Sequence, residues 1–174
     1  ENQIIYAGRL SKEKGIDTLL DTAKRLPPEY HLLIAGIGPE EEKVRGIANS
    51  KTNVHYLGYQ SKQNTISLIR GSDLLIQPSL MEGTSSTLLE AMGCETCIIA
   101  SNVGGNTEII ENNKTGVLIE TNNAEKLLDK ISDLLTEKEK RIMMTVAALK
   151  AVVKYDWKQV GKLYLDIYED LLHQ

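Results

Sequence analysis

Residues 73–108, DLLIQPSLMEGTSSTLLEAMGCETCIIASNVGGNTE, hold two short apolar runs separated by a hydroxyl-rich turn. Leu74, Leu75 and Ile76 read as one buried strand, and Ile98, Ile99 and Ala100 as another. Between them a loop carries Glu82 and Gly83. The run Thr84, Ser85, Ser86 and Thr87 follows, and then Leu88, Leu89, Glu90, Ala91 and Met92 predict a helix. A Gly-Gly loop, Gly104 and Gly105, comes after the second strand. The first amides of a helix lack partners within it and lie at the positive end of its dipole. Small hydroxyl residues that open a helix straight after a strand therefore suit an anion. The stretch predicts a ligand site.

The rest of the chain repeats the same alternation. Gln3–Ala7 is a β-branched and aromatic run ended by Gly8, and Ile16, Leu19, Leu20, Ala23 and Leu26 follow at helical spacing, closed by Pro27 and Pro28. Residues 32–35 form a second strand. Gly36-Ile37-Gly38-Pro39 comes next, then an acidic first turn (Glu40, Glu41, Glu42) with Val44, Ile47 and Ala48 behind it. Residues 54–57 are a third strand and 74–76 the fourth, with a short helix through Thr65, Leu68 and Ile69 between them. The strands at 98–100 and 117–119 are separated by a short helix expected over 108–111. From Ala124 onward the pattern is helical, in segments 124–135, 138–153 and 157–172, the last with a broad apolar face. Continuous apolar strands alternating with helices predict a Rossmann-like α/β domain: a parallel sheet of about six strands, helices on both faces and a helical C-terminal tail. Ligands of such sheets bind at the carboxyl ends of the strands, so the loops after strands one, two, four and five are expected to line one crevice.

Length and composition narrow the functional classes. The 174 residues suffice for one well-buried core and require no second. No apolar run approaches the roughly 18 residues a membrane span needs. The chain enters a strand pattern almost at Glu1 with no signal peptide, as expected of an excised domain. A net charge of −4 and a pI near 5.5 argue against a nucleic-acid partner. Cys94 and Cys97 form a lone C-x-x-C, with His31, His55 and His173 far off in sequence. The pair is expected to be buried and structural rather than a redox or zinc motif. With no disulfide framework in the pattern, the expected setting is cytoplasmic.

Arg9 lies just past the first strand and Lys14 just before the first helix, with Lys12 between them. A planar guanidinium and a mobile ammonium at the carboxyl end of a sheet can clamp a diphosphate, or they can be solvated surface charges. Their expected convergence with the 84–86 helix start favours the clamp. The Gly36–Gly38 turn mimics a dinucleotide fingerprint, but the third glycine is missing and three glutamates crowd the first turn, so it reads as a tight structural turn. Glu82 and Glu90 are not a glycosidase pair. If the stretch between them is largely helical, eight residues advance about 12 Å, beyond the roughly 5 to 9.5 Å that hydrolysis uses. Glu82 suits a carboxylate that holds sugar hydroxyls. His31 and His55 precede the apolar cores of their strands and are expected to be satisfied structural residues, and no nucleophile stands beside a base.

These residues resemble the donor site of retaining glycosyltransferases of the GT-B fold, group 1 or family 4 type. The resemblance rests on Glu82 and Glu90 in E-x7-E spacing, Ser72–Ser79 before them and Glu90-Ala91-Met92 at their end. It extends to Gly8-Arg9-Leu10 through Lys14-Gly15, Ile34–Gly36 with Gly38-Pro39, and Tyr56-Leu57-Gly58-Tyr59. Val103–Gly105 with Glu108–Ile110, Thr115-Gly116 and Tyr155-Asp156-Trp157 complete it. Two departures stand out. Thr84 and Ser85 occupy positions where the family usually has an aromatic residue and a glycine, and Cys97 and Thr107 stand where prolines are common.

The resemblance implies a C-terminal, nucleotide-sugar-binding half whose N-terminal acceptor domain is absent. It implies that Arg9 and Lys14 hold the donor diphosphate, that Glu82 binds sugar hydroxyls, and that Glu90 binds the ribose. Backbone groups from Gly83 to Ser86, including Thr84 and Ser85, would contact sugar and phosphate. The base would lie by the Gly36 to Gly38 and Gly58 to Tyr59 turns, and Gly8, in the phosphate loop, would be a further substrate-binding residue. It further implies a UDP- or GDP-sugar donor, no metal or cofactor, a glycan, lipid or small-molecule acceptor, and a place in polysaccharide or glycolipid synthesis, with the full-length enzyme peripheral to the cytoplasmic membrane surface. Reaction would be by front-face displacement, the departing phosphate helping to deprotonate the acceptor. A dehydrogenase-type dinucleotide domain and a non-catalytic nucleotide-sugar-binding module are the alternatives.

Overall fold

A computed structural model describes residues 2–172; Glu1, His173 and Gln174 lie outside the described residues. Its sheet comprises β1 (Gln3–Ala7), β2 (His31–Ala35), β3 (Val54–Gly58), β4 (Leu74–Gln77), β5 (Cys97–Ser101) and β6 (Val117–Ile119). The six strands are parallel, in the order β3-β2-β1-β4-β5-β6. The chain winds outward in one direction from β1 and in the other from β4. The two meet in register, Ile4 opposite Leu74 and Ile5 opposite Leu75, so the topological switch point lies between them.

Side chains that alternate along each strand enter two separate cores, and this is why the strands read as unbroken apolar runs. Ile4, Tyr6, Leu32, Ile34, Leu74 and Ile76 pack with α1 (Ile16–Arg25), α2 (Glu41–Ser50) and α6 (Ala124–Thr136). On the other face, Ile5, Ala7, Leu75, Ile98 and Ala100 pack with α3 (Lys62–Arg70), α4 (Ser86–Gly93), α5 (Asn106–Ile109) and Ala148 of α7 (Lys138–Val152). Arg141 ties α7 to the sheet end, donating to the carbonyls of Leu134 and Leu135 and to Asp73 Oδ1 at 2.6, 2.7 and 3.2 Å.

Two expectations are corrected. The short helix lies over Asn106–Ile109 rather than 108–111, because the fully buried Asn106 turns the chain early by donating to the Ser101 carbonyl at 3.0 Å. His31 is exposed rather than satisfied in an apolar setting; it stacks on His55 with ring centroids 5.7 Å apart, at the amino end of the sheet away from the strand carboxyl ends. The broad apolar face expected of the last helix is present on α8 (Trp157–Leu172), and among the described residues nothing covers it: Trp157, Leu163, Ile167 and Leu171 all stand exposed. The two cysteines are buried and free, and burial pushes the Cys97 thiol up to about 11, as fits a structural pair. No described helix is long and apolar enough to cross a membrane.

Candidate functional site

The loops that follow β1, β2 and β3 are drawn together through backbone. Gly8 N donates to Ala35 O at 3.0 Å, and Gly36 N donates to Gly58 O at 2.8 Å. Gly36 has φ +139, and a Cβ built on it would stand 1.8 Å from Gly8 O, so only glycine permits this approach. The result is a cavity of about 490 Å³ lined by Gly8, Arg9, Ala35, Gly36, Ile37, Gly38, Tyr59, Gln60 and Thr65. Arg9 is exposed at its edge and enters no ion pair with a described residue, while its carbonyl accepts from Tyr6 Oη at 2.8 Å. Burial, with the carboxylates of Glu82 and Glu13 adding to it, holds the Tyr6 phenol protonated far above its usual range.

A smaller, more polar cavity of about 150 Å³ adjoins the first and shares Gly8 with it. Lys14, Gln77, Ser79, Glu82 and Thr84–Thr87 line it, on either side of the switch point. A 3-10 turn, Lys12–Lys14, places Lys14, and the loop after β4 is fastened to that turn by Leu80 N donating to Glu13 O at 2.8 Å. Lys14 Nζ then donates to both carboxylate oxygens of Glu82, at 2.8 and 2.9 Å. Glu82 Oε1 also accepts from Gln77 Nε2 at 2.6 Å and from Ser79 Oγ at 2.8 Å. The Glu82 side chain is 7% exposed and that of Lys14 30%, so the carboxylate sits among donors rather than water. An ammonium has three donors, and the third N–H of Lys14 remains for a ligand.

Beside this pair, α4 starts without a side-chain cap. Ser85 stands at the N-cap position, but its hydroxyl is turned to the Gln77 amide, accepting from Nε2 at 2.9 Å and donating to Oε1 at 3.0 Å. The backbone amides of Ser86, Thr87 and Leu88 therefore keep their donors free among the described residues, beside a cavity that holds an ammonium. Dipole, ammonium and guanidinium together favour a diphosphate at this place.

The sequence-predicted residues divide into four groups. Gly8, Arg9, Gly36, Gly38 and Tyr59 line the larger cavity, and Lys14, Glu82, Thr84, Ser85 and Ser86 the smaller. Gly58 and Gly83 line neither cavity: Gly58 acts through backbone as the acceptor for Gly36, and Gly83 stands exposed in the loop before α4. Glu90 lines neither cavity; it lies on α4, its side chain 15% exposed and paired with Lys62 of α3. The stretch between Glu82 and Glu90 becomes helical only at Ser86, so their separation is not the full helical advance expected from sequence. Each of the two carboxylates is paired with its own lysine, Lys14 for Glu82 and Lys62 for Glu90.

The crevice also differs from expectation at two strands. The loop after β3 lines it, through Tyr59 and Gln60, whereas the loop after β5 lies behind the site and props it, with Gly105 N donating to Glu82 O at 3.1 Å. Sequence reasoning missed Gln77 and Ser79. The available signal was a polar side chain closing an apolar strand just before a proline, in Ile76-Gln77-Pro78-Ser79.

A doubly wound parallel sheet with glycine turns and cationic groups at its switch point places this chain among Rossmann-like α/β domains. More narrowly, it belongs to the family described as glycosyl transferases group 1, whose model matches residues 1–151. An uncharacterized glycosyltransferase of Methanocaldococcus jannaschii is 28% identical over 96% of this chain and 48% of its own length. The Campylobacter jejuni N,N'-diacetylbacillosaminyl-diphospho-undecaprenol alpha-1,3-N-acetylgalactosaminyltransferase is 27% identical over 97% of this chain and 45% of its own length. Among solved structures, Anabaena HepE in complex with UDP-glucose superposes with a TM-score of 0.85 at 21% identity, over 100% of this chain and 49% of that one. The chain thus spans about half the length of the curated relatives it matches.

Proposed function

We propose that the 174 residues form the nucleotide-sugar-binding domain of a retaining glycosyltransferase, which transfers a sugar once joined to an N-terminal acceptor-binding domain. The observation that carries this reading is the pair of cavities meeting at Gly8: one with mostly apolar walls and wide enough for a base, the other holding a cation, a fixed carboxylate and uncapped helix amides. The base would rest against Gly36–Gly38 and Tyr59, and the diphosphate between Arg9, Lys14 and the start of α4. Glu82 would receive sugar hydroxyls, and Glu90 the ribose. Positive groups already in place stabilise the charge that develops on a departing diphosphate, with no reorganisation at the moment of reaction. The donor would be a UDP- or GDP-sugar, used without a resident metal or cofactor. The acceptor would be a glycan, a lipid or a small molecule, met at the cytoplasmic membrane surface. HepE, whose structure holds UDP-glucose, shares the fold, and the bare apolar face of α8 supports a further surface for the acceptor half.

A thermal-shift screen against UDP, GDP, ADP and their sugars tests the donor site. A ligand at about 100 times its Kd adds roughly 2.7 kcal/mol, a rise of about 5–10 °C for a domain of this size. The rise is expected to shrink in Arg9→Ala and in Glu90→Ala; stabilisation that survives both substitutions contradicts these assignments.

The acceptor half is tested separately. The chain alone is expected to show no transfer to any acceptor in a panel, even with its best donor bound, because the residues that bind the acceptor are proposed to lie largely in the N-terminal domain. Detectable transfer by the purified chain would show that acceptor binding is not confined to a missing domain.

A further inference from the structure

We propose that Gln77 is a positioning residue for the donor site, with two linked tasks: it fixes which oxygen of Glu82 faces the ligand, and it withholds the natural cap from α4. The proposal rests on the donor-site reading and assigns a role that the sequence patterns do not give to any residue.

Gln77 is the last residue of β4, the strand on one side of the switch point, and it is buried in a strand whose other members are all apolar. A buried amide must satisfy its donors and acceptor, and this one does so entirely within the site. Nε2 donates at 2.6 Å to Glu82 Oε1 and at 2.9 Å to Ser85 Oγ, and Oε1 accepts from Ser85 Oγ at 3.0 Å.

The consequence for Glu82 is an asymmetry between its two oxygens. Oε1 already receives Lys14, Gln77 and the fully buried Ser79, whereas Oε2 receives Lys14 alone, at 2.9 Å. Oε2 therefore keeps acceptor capacity, and it is the oxygen left for a sugar hydroxyl. Without Gln77, one of the three donors holding Oε1 is lost and the carboxylate can turn about its terminal torsion.

The consequence for α4 follows from the same amide. Serine at an N-cap ordinarily accepts from the amide two or three residues on, and Ser85, with φ −83 and ψ 106, has the extended backbone of such a cap but makes no cap bond. Its buried hydroxyl is instead engaged by Gln77. Releasing that hydroxyl would leave a buried group unpaired unless it turned to the α4 amides, and it would then compete there with a phosphate. Gln77 thus keeps an anion site open by occupying the group that would close it.

Gln77→Met preserves length and burial while removing both hydrogen-bonding atoms, and Gln77→Met/Ser85→Ala also removes the competing hydroxyl. Two measurements on the chain decide the matter. In the ligand-free protein, amide hydrogen exchange at residues 87–88 is expected to slow in Gln77→Met and to return to the wild-type rate in the double variant. Calorimetry uses UDP with UDP-glucose, GDP with GDP-mannose and ADP with ADP-glucose, taking the pair that binds the wild type. Gln77→Met is expected to weaken the nucleotide sugar about tenfold, the effect of about one charge-assisted hydrogen bond, and the plain diphosphate by less. The double variant is expected to regain diphosphate affinity but not the added affinity for the sugar.

A residue needed only for packing would not be rescued by deleting the Ser85 hydroxyl. Unchanged exchange at 87–88 together with an unchanged ratio of nucleotide-sugar to nucleotide affinity overturns the proposal. Wild type that binds none of the six ligands overturns the donor-site reading and the ligand half of this proposal with it, while the exchange measurement still decides the cap.

Discussion

Lys14→Ala is expected to abolish the nucleotide-dependent rise in melting temperature and, unlike a surface lysine substitution, to lower the melting temperature of the ligand-free chain as well. Both effects follow from one atom. Nζ serves two oxygens of a carboxylate that is 7% exposed, and Lys14 lines the cavity proposed for a diphosphate with one N–H left over. Removing one member of a buried pair costs about 3–5 kcal/mol because the other is left charged and unpaired. Lys14 is 30% exposed, and water that reaches Glu82 in the variant screens part of that, so about 2 kcal/mol is the expected loss. For a chain of this length that is a fall of about 4–8 °C. The companion Lys14→Ala/Glu82→Gln separates the two effects. Neutralising Glu82 removes the stranded charge and is expected to restore most of the ligand-free stability, since Gln77 and Ser79 remain beside it, but it supplies no cation for phosphate. A nucleotide shift that persists in Lys14→Ala contradicts the phosphate role, and a double variant no more stable than the single one contradicts the stranded charge.

The Lys14–Glu82 pair also marks the limit of what the linear chain shows. The strands were legible because both faces of a parallel sheet are covered, so each strand is a plain apolar run such as Leu74–Ile76 or Ile98–Ala100. The carboxyl-end crevice was legible from the alternation of strands and helices, and the candidate residues from their positions just past strands. Strand order was not, because periodicity says nothing about which run lies beside which. Nor was the direct bond between Lys14 and Glu82, which are 68 positions apart and meet only because β1 and β4 are neighbours. Gln77 escaped for a related reason. A single polar residue closing an apolar run has many structural uses, and only the convergence of Glu82 and Ser85 on its amide gives it one. The family resemblance named the ligating carboxylates, but it did not show that each already has a lysine, Lys14 for Glu82 and Lys62 for Glu90. Each carboxylate nonetheless keeps acceptor capacity on Oε2: that of Glu82 receives Lys14 alone, and among the described residues Lys62 engages only Oε1 of Glu90.

Gly36→Ala is expected to be severely damaging, although it adds one methyl group to a loop. The added carbon would stand 1.8 Å from the carbonyl oxygen of Gly8, a backbone atom with no rotamer to relieve the contact, and φ +139 is a conformation that alanine rarely adopts. Strain of this kind costs about 1–3 kcal/mol. Forcing the loops after β1 and β2 apart, with loss of the bond from Gly8 N to Ala35 O, brings the expected total to about 4 kcal/mol, in the range that marks a specific structural fault. Function should fail with it even in the fraction that stays folded, because Gly8 is the residue the two cavities share and Arg9 follows it directly. Gly46→Ala provides the control: Gly46 lies exposed in α2, nothing stands within 4 Å of the added carbon, and the substitution should stabilise by about 0.5–1 kcal/mol through helix propensity. Circular dichroism melts of the two variants, each with and without the best nucleotide, should therefore move in opposite directions. A Gly36→Ala chain that melts near wild type and still shows the full nucleotide shift would mean that the β1 and β2 loops can separate without cost, and that their contact does not shape the site.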